Sequence, residues 1–415
     1  LDPGRTAVAS APPTAAAIIA AAAAITADAG AASDAGAPPP ALAVRRLTLT
    51  RFRGYEHARL EPGGGPVVLT GPNGAGKTNL LEALSFLAPG RGLRGARLAD
   101  VGRIGTPPDL GWAVAATLDT PHGAVEIGTG NGGGPDRDRR VVHIDDHPAR
   151  GQTALAEHVS MVWLTPAMDR LFQEGASGRR RFLDRLVFGF DPAHAGRLSR
   201  YEHALRERAR ILRDRPFDDG WLSGLEEQMA ATGVAVAAAR REVVGRLGAA
   251  AARAAGPFPA ADLAVAGAVE DWLDDGPALA VEEALRDALR AGRRADADAG
   301  GATVGPHRSD LAVRHRARDM PAGLCSTGEQ KALLVAIVLA NARLLAAERG
   351  VAPLLLLDEV AAHLDEERRE GLFTEILALG AQAWMSGTDA GVFAPLGARA
   401  WRYGVADAVV TAAPR

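Results

Sequence analysis

Gly71-Pro72-Asn73-Gly74-Ala75-Gly76-Lys77-Thr78 restricts the fold more than any other stretch of the chain. It fits G-x-x-x-x-G-K-[ST], and its flanks supply the context that pattern needs. Pro66 to Thr70 reads as a buried strand and Asn79 to Leu87 as a helix. Glycines let the backbone curl so that successive N–H groups point inward, towards phosphate oxygens. The start of the following helix adds the positive end of its dipole. In such a loop Lys77 reaches the β- and γ-phosphates of a nucleoside triphosphate, and the Thr78 hydroxyl holds Mg²⁺. The expected class is therefore α/β.

Composition narrows the partners. The 415 residues suffice for two or three domains, and a charged fraction of 23% describes a globular chain. A formal net charge of −3 excludes a uniformly basic nucleic-acid binder, so any DNA site must be a local patch. Cys325 is the only cysteine, which excludes an internal disulfide framework and a cysteine zinc cluster and suits a reducing cytoplasm. Residues 1–42 are expected to be a disordered Ala/Pro-rich extension, and the start at Leu1 fits a fragment or a start site placed upstream. Arg5 before an apolar run also fits a secretory signal, which a cytoplasmic nucleotide enzyme would not carry. Ala15 to Ala27 is too short and too weakly apolar to span a membrane, and no other stretch is expected to be long and apolar enough.

Along the chain, Val44 to Arg53 alternates apolar and polar residues as a half-buried strand does. Trp112–Leu118, Ala124–Ile127 and Arg140–Ile144 read as a meander, with Gly128 to Asp138 as a mobile loop. Val159–Leu164 is a further strand. From Arg179 to about Ala299 the pattern is helical. The expected domains are thus 43–167, an N-terminal core half with the phosphate loop; 168–298, a helical lobe; and 299–415, a C-terminal core half.

Leu354 to Leu357 is an apolar run ending in Asp358-Glu359. A strand buried on both faces opens its C-terminal end onto the ligand crevice of an α/β sheet. There Asp358 would sit beside Mg²⁺, directly or through water, and Glu359 would orient or deprotonate the water attacking the γ-phosphate. An ordinary core strand ending in solvated acids is the plainer alternative. Ser326-Thr327-Gly328-Glu329-Gln330 opens an apolar helix, with Ser326 as N-cap and Glu329 at N3 of a capping box. The same N-terminus is also a ready anion site.

Taken together, Leu49–Tyr55, Gly71–Leu84, Arg179–Val187, Gly305–Leu311, Ser326–Lys331 and Leu354–Asp365 resemble the RecF family of bacterial DNA replication and repair proteins. This family lies within the ABC-type ATPase group that includes the SMC proteins. Arg179-Arg180-Arg181-Phe182-Leu183-Asp184 and Gly305-Pro306-His307-Arg308-Ser309-Asp310-Leu311 carry the resemblance to this family more than to ABC ATPases at large. The resemblance implies an ABC-type P-loop ATPase head split by a compact helical lobe. It implies that Ser326, Thr327, Gly328, Glu329 and Gln330 act as a signature touching ATP bound by a second subunit, with Asp365 near that dimer interface. It further implies an ATP-dependent homodimer on single-stranded DNA or gap junctions, and support for recombinase loading and the SOS response. RecR would be its partner, with RecO and RecA reached through it, and hydrolysis would be a slow switch.

The pattern departs from ABC ATPases at Gly387-Thr388-Asp389, where many carry a histidine: either Thr388 or Asp389 substitutes for it or hydrolysis is simply slow. A coupling glutamine is not assignable between Gln152 and Gln173. Arg51 and Arg53 read as nucleotide or DNA contacts or as a charged strand end. Arg206, Arg208, Arg210, Arg213 and Arg215, and separately Arg91, Arg94 and Arg97, read as phosphate contacts or as solvated faces. His307 and His363 read as structural. Two other functions remain: the ATP-binding subunit of an ABC transporter, against which Gly328-Glu329 and the large insert count, and a switch ATPase with no DNA affinity.

Overall fold

The computed structural model describes residues 42–107, 109–213, 219–253, 256–361 and 364–414. The expected N-terminal extension lies outside the described residues, apart from Leu42, and so do Arg215 and His363. The chain divides into two compact units. Unit 1 comprises 1–163, 351–363 and 376–415; unit 2 comprises 164–350 and 364–375.

Unit 1 has two sheets with a helix packed on both. The first follows the expected meander: β1 (Ala43–Phe52), β2 (Tyr55–Leu60), β4 (Ala113–Thr120), β5 (Gly123–Gly130), β6 (Val141–Ile144) and β7 (His147–Pro148), ordered β2-β1-β4-β5-β6-β7 and antiparallel throughout. The expected loop from Gly128 begins only after Gly130, because the backbone of Gly130 closes on Trp112 and leaves no room for a Cβ. The loop is also anchored, since Asn131 accepts from the Trp112 N–H and donates to the Arg137 carbonyl.

The second sheet holds β3 (Val67–Thr70), β8 (Met161–Leu164), β12 (Leu354–Leu357), β13 (Ala383–Gly387), β14 (Trp401–Ala406) and β15 (Val409–Ala413), ordered β15-β14-β3-β13-β12-β8. β3 pairs in parallel with both β13 and β14. The sequence pattern does not mark β14, because Trp401–Ala406 has neither a long apolar run nor clean alternation. α1 (Lys77–Ser85) touches both β1 and β13. Its Leu80 to Ser85 are buried all round, as a helix between two layers requires. Phe52, Phe86 and Trp112 meet at its far end with ring centroids 5.1–5.9 Å apart. Gln382, fully buried, is satisfied at both ends: its Oε1 accepts from Val44 N and Trp384 Nε1, and its Nε2 donates to the Val44 and Gly63 carbonyls.

Unit 2 holds α2 (Ala176–Phe190), α3 (His194–Arg213), α4 (Asp219–Ala251), α5 (Ala268–Asp275), α6 (Ala278–Ala291), α7 (Arg293–Ala299) and α8 (Thr327–Arg349). Part of α9 (Glu366–Leu379) belongs to it as well. Tyr201, Met229, Val234, Val281, Leu285 and Leu289 are part of its apolar core. The helical stretch expected up to Ala299 is interrupted by a strand, β9 (Ala261–Ala266), which pairs antiparallel with β10 (Asp310–His315). Its burial alternates, as the period-2 pattern Ala261, Leu263, Val265 dictates. That pairing, with β11 (Met320–Pro321) beyond it and α8 packed on α4, groups 299–350 with unit 2 rather than with the C-terminal strands. α8 is long and apolar enough to cross a membrane by length and composition, but 72% of its most apolar window is buried in the protein.

Candidate functional site

The phosphate loop leaves β3 at Thr70 and enters α1 at Lys77. Its glycines are needed where space and φ are both exceptional. Gly71 has φ 154°, and a Cβ there would lie 2.0 Å from the Val405 carbonyl oxygen of β14. Gly76 has φ 113°, and a Cβ there would lie 2.7 Å from the Tyr55 hydroxyl, which is itself buried and has no hydrogen-bond partner among the described residues. Ala408, in the β14–β15 turn, donates its N–H to the Ala75 carbonyl at 3.1 Å. Pro72, Asn73 and Gly74 face solvent. The Lys77 ammonium folds back over the loop and donates to the Gly71 and Pro72 carbonyls at 2.7 and 2.9 Å.

Folding joins this loop to the acidic strand. Thr78 Oγ1 donates to the Asp358 carboxylate, 3.0 Å from either oxygen, across 280 residues of sequence. Asp358 is buried, yet among the described residues it makes no ion pair; its other hydrogen bond comes from Ser386 Oγ at 2.6 Å. The same Ser386 oxygen accepts the Glu359 N–H at 2.9 Å. Glu359 has φ 54°, a left-handed conformation that side-chain-bearing residues rarely hold and that clusters at working sites. Ser386 is the residue that sequence reasoning missed: the run Ala381–Ser386 marked a strand, but nothing in it told that its one hydroxyl would face Asp358.

One hydroxyl and one buried carboxylate, with no cluster of three or more His, Cys, Asp or Glu among the described residues, suit a particular kind of cation. It is a hard ion that keeps waters and takes its remaining ligands from phosphate, as Mg²⁺ does. Thr78 and Asp358 fit it.

At the other end of α1, Glu82 is fully buried and meets two arginines. Arg53 is bidentate to it at 2.6 and 2.8 Å, and Arg94 lies at 3.0 Å. Arg51 donates to the Gly111 carbonyl. Arg51 and Arg53 are thus committed within the chain. Arg140, its pKa pushed down to about 10 by burial of the guanidinium, donates to the Phe86 and Gly90 carbonyls and to Gln152. Gln152 is therefore engaged at this end of the helix. Thr388 and Asp389 are exposed, and Asp389 accepts from Gly391 N as a local cap.

In unit 2 the Ser326 segment has the capping box its sequence specifies: Ser326 Oγ accepts from Glu329 N, and Ser326 N donates to Glu329 Oε2. The bonds from Ser326 and then the charge of Arg318 hold the Glu329 carboxyl below its ordinary value. Thr327 and Gly328 are exposed, whereas Gln330 is buried and donates to the Cys325 carbonyl. Asp365 caps α9 through Arg368 N, and the Arg368 guanidinium lies 3.4 Å from Asp365 and 3.5 Å from the Gly328 carbonyl. The structure thus brings Asp365 and the Ser326 segment together.

The two arginine- and histidine-bearing motifs lock onto each other. Arg179 is bidentate to Asp310 at 2.7 Å, and Arg180 donates to the Ser309 carbonyl. Asp184 takes a bidentate Arg240 and the His194 Nε2–H, each at 2.8 Å, while Arg240 also donates to the Pro306 carbonyl. Burial alone would raise the Asp184 carboxyl; the bonds from His194 and Arg240 outweigh it and hold it low. His307 donates to the Ala302 carbonyl and accepts from the Tyr201 hydroxyl, and burial holds its pKa below normal. His307 is structural, as expected. Within the Arg206–Arg213 run, Arg208 is unavailable to any outside partner. It is buried against Glu226 and Asp296.

Comparison with known proteins agrees with this anatomy. The family model described as "RecF/RecN/SMC N terminal domain" matches residues 43–388. A protein of Rhizobium rhizogenes called "DNA replication and repair protein RecF" is 51% identical over 375 residues, covering 90% of this chain and 99% of its own. One of the same name from Mesorhizobium japonicum is 52% identical, covering 87% and 96%. The solved "recombination mediator protein RecF-ATPrS in RecFOR pathway" superposes with a TM-score of 0.78 at 20% identity, over 91% of this chain and 99% of that one. The transporter alternative is not favoured by these matches. The chain belongs to the RecF family of DNA replication and repair proteins.

Proposed function

We propose that this chain is an ATP-operated DNA-binding protein of replication and recombinational repair, working in the cytoplasm. The observation that carries the reading is the Thr78–Asp358 contact, which unites the phosphate loop with the acidic strand in one site. The N–H groups of Asn73 to Thr78 bind the triphosphate, and Lys77 exchanges its carbonyl partners for phosphate oxygens. Thr78 and Asp358 hold Mg²⁺, which supplies charge neutralisation of the phosphates. Glu359 orients the attacking water and takes its proton. Ser326, Thr327, Gly328, Glu329 and Gln330, with Asp365, complete the site of a second copy, so that ATP closes a homodimer. The dimer sits on single-stranded or gapped DNA, hydrolysis opens it, and RecR, with RecO and RecA beyond it, receives the signal. Support comes from relatives that are named for DNA replication and repair and from a fold neighbour named for its ATP-analogue complex.

Gel shift on gapped, single-stranded and duplex DNA, with and without ATP, alongside sizing, tests this. ATP should promote both dimer and DNA complex, Lys77→Ala should abolish the dimer, and Glu359→Gln should trap it on DNA. An ATP-independent monomeric DNA complex would overturn the reading.

A further inference from the structure

We infer that Ser386 is a positioning residue for ATP hydrolysis, acting on Asp358 and Glu359 at once; this rests on the function proposed above. A single buried hydroxyl at the end of β13 donates its proton to Asp358 Oδ1 at 2.6 Å and accepts the Glu359 N–H at 2.9 Å. Each half has a separate effect. The donated proton fixes one oxygen of a carboxylate whose other contact is Thr78, so the carboxylate cannot rotate away from the loop. The accepted bond fixes the backbone of Glu359 at φ 54°, a conformation that sets where its side chain points. An alanine could do neither, and the neighbouring leucines of β12 offer no substitute donor.

β13 also supplies the mechanical link. It pairs with β12 on one side, through Leu357↔Met385, and with β3 on the other, through Ser386↔Leu69 and Gly387↔Thr70. Ser386 thus stands on the strand between the phosphate loop and the acidic pair. This hydroxyl is a second link between the two, beside the direct Thr78–Asp358 bond. A bond network of this kind orients groups that touch substrate without touching it itself, and loss of such partners typically costs ~10–100-fold in activity.

The experiment compares wild type, Ser386→Ala, Ser386→Thr and Glu359→Gln for ATP turnover, for affinity towards a fluorescent ATP analogue with Mg²⁺, for thermal midpoint and for persistence of the ATP-bound dimer on sizing. Ser386→Ala should lower kcat ~10–100-fold, leave nucleotide affinity within about twofold and prolong the dimer, with Ser386→Thr restoring turnover. Turnover unchanged in Ser386→Ala while Glu359→Gln abolishes it overturns the positioning role alone. A joint fall of affinity and thermal midpoint that threonine does not repair shows a merely structural residue and also overturns it. Wild-type turnover in Glu359→Gln removes the reading of Glu359, and this inference with it.

Discussion

Asp358 in unit 1 and Asp184 in unit 2 are both buried carboxylates that tie distant segments together, yet they are held in opposite ways. Asp184 receives a bidentate arginine and a histidine N–H. Asp358 receives two hydroxyls. Removing a carboxylate from water is costly unless an opposite charge faces it. Asp184 has that charge permanently, so its pocket is closed and structural. Asp358 lacks a cationic partner among the described residues, so its environment still calls for one. Glu82, between Arg53 and Arg94, belongs with Asp184. Glu270 in unit 2 is also buried and, among the described residues, receives only the Ser309 hydroxyl, so the missing cation is not enough by itself; Asp358 differs in standing beside the phosphate loop through Thr78.

The contrast can be broken most severely at the clasp. Arg240→Ala leaves Asp184 buried beside His194 alone and should cost ~3–5 kcal/mol, read by urea or thermal unfolding. Asp358→Asn should cost about 1 kcal/mol or less in the same assay, because asparagine still accepts from hydroxyls, while Mg²⁺-dependent ATP binding is lost. Equal destabilisation by the two changes would erase the distinction. Ser326→Ala removes an N-cap and should cost ~1 kcal/mol. Glu359→Gly relieves a left-handed side-chain-bearing residue and should stabilise by up to about 1 kcal/mol while turnover disappears. The last is a pH effect. Asp184 has a lowered folded pKa, so its charge stabilises the fold fully above the ordinary unfolded value of about 3.9 and the gain is lost as pH falls through the folded value. Asp184→Asn should flatten the acid limb of the stability curve, and Glu329→Gln should change it less, since Glu329 is only half-buried and its ion-pair partner Arg318 is exposed.

What was legible in the sequence was what short-range pattern dictates. The phosphate loop, the all-buried Leu354–Leu357 strand and the Ser326 capping box each declare themselves within eight residues. Thr78 and Asp358 could be paired because both motifs have a fixed place at the end of a parallel strand. Ser386 could not, since its role depends on which strand lies between β3 and β12. β9 was hidden by the alanine-rich helices around it, and β14 by its mixed composition, since its place comes from pairing with β3. Arg208 looked like one more cation in a basic run. Only the fold shows that two acids, 18 and 88 residues away, face it.

β3 lies between β13 and β14, and Ala408 holds the loop at Ala75. The two strands that support the phosphate loop are therefore synthesised more than three hundred residues after it. A ribosome adding ~5–20 residues per second leaves β3 without either neighbour for on the order of tens of seconds. The nascent chain must carry an unfinished site for most of its synthesis, and a chain that stops before Trp401 lacks both β14 and the Ala408 contact that holds the loop at Ala75. Completion of the nucleotide site is thus a late event in the life of each molecule, which makes it a natural checkpoint against truncated copies.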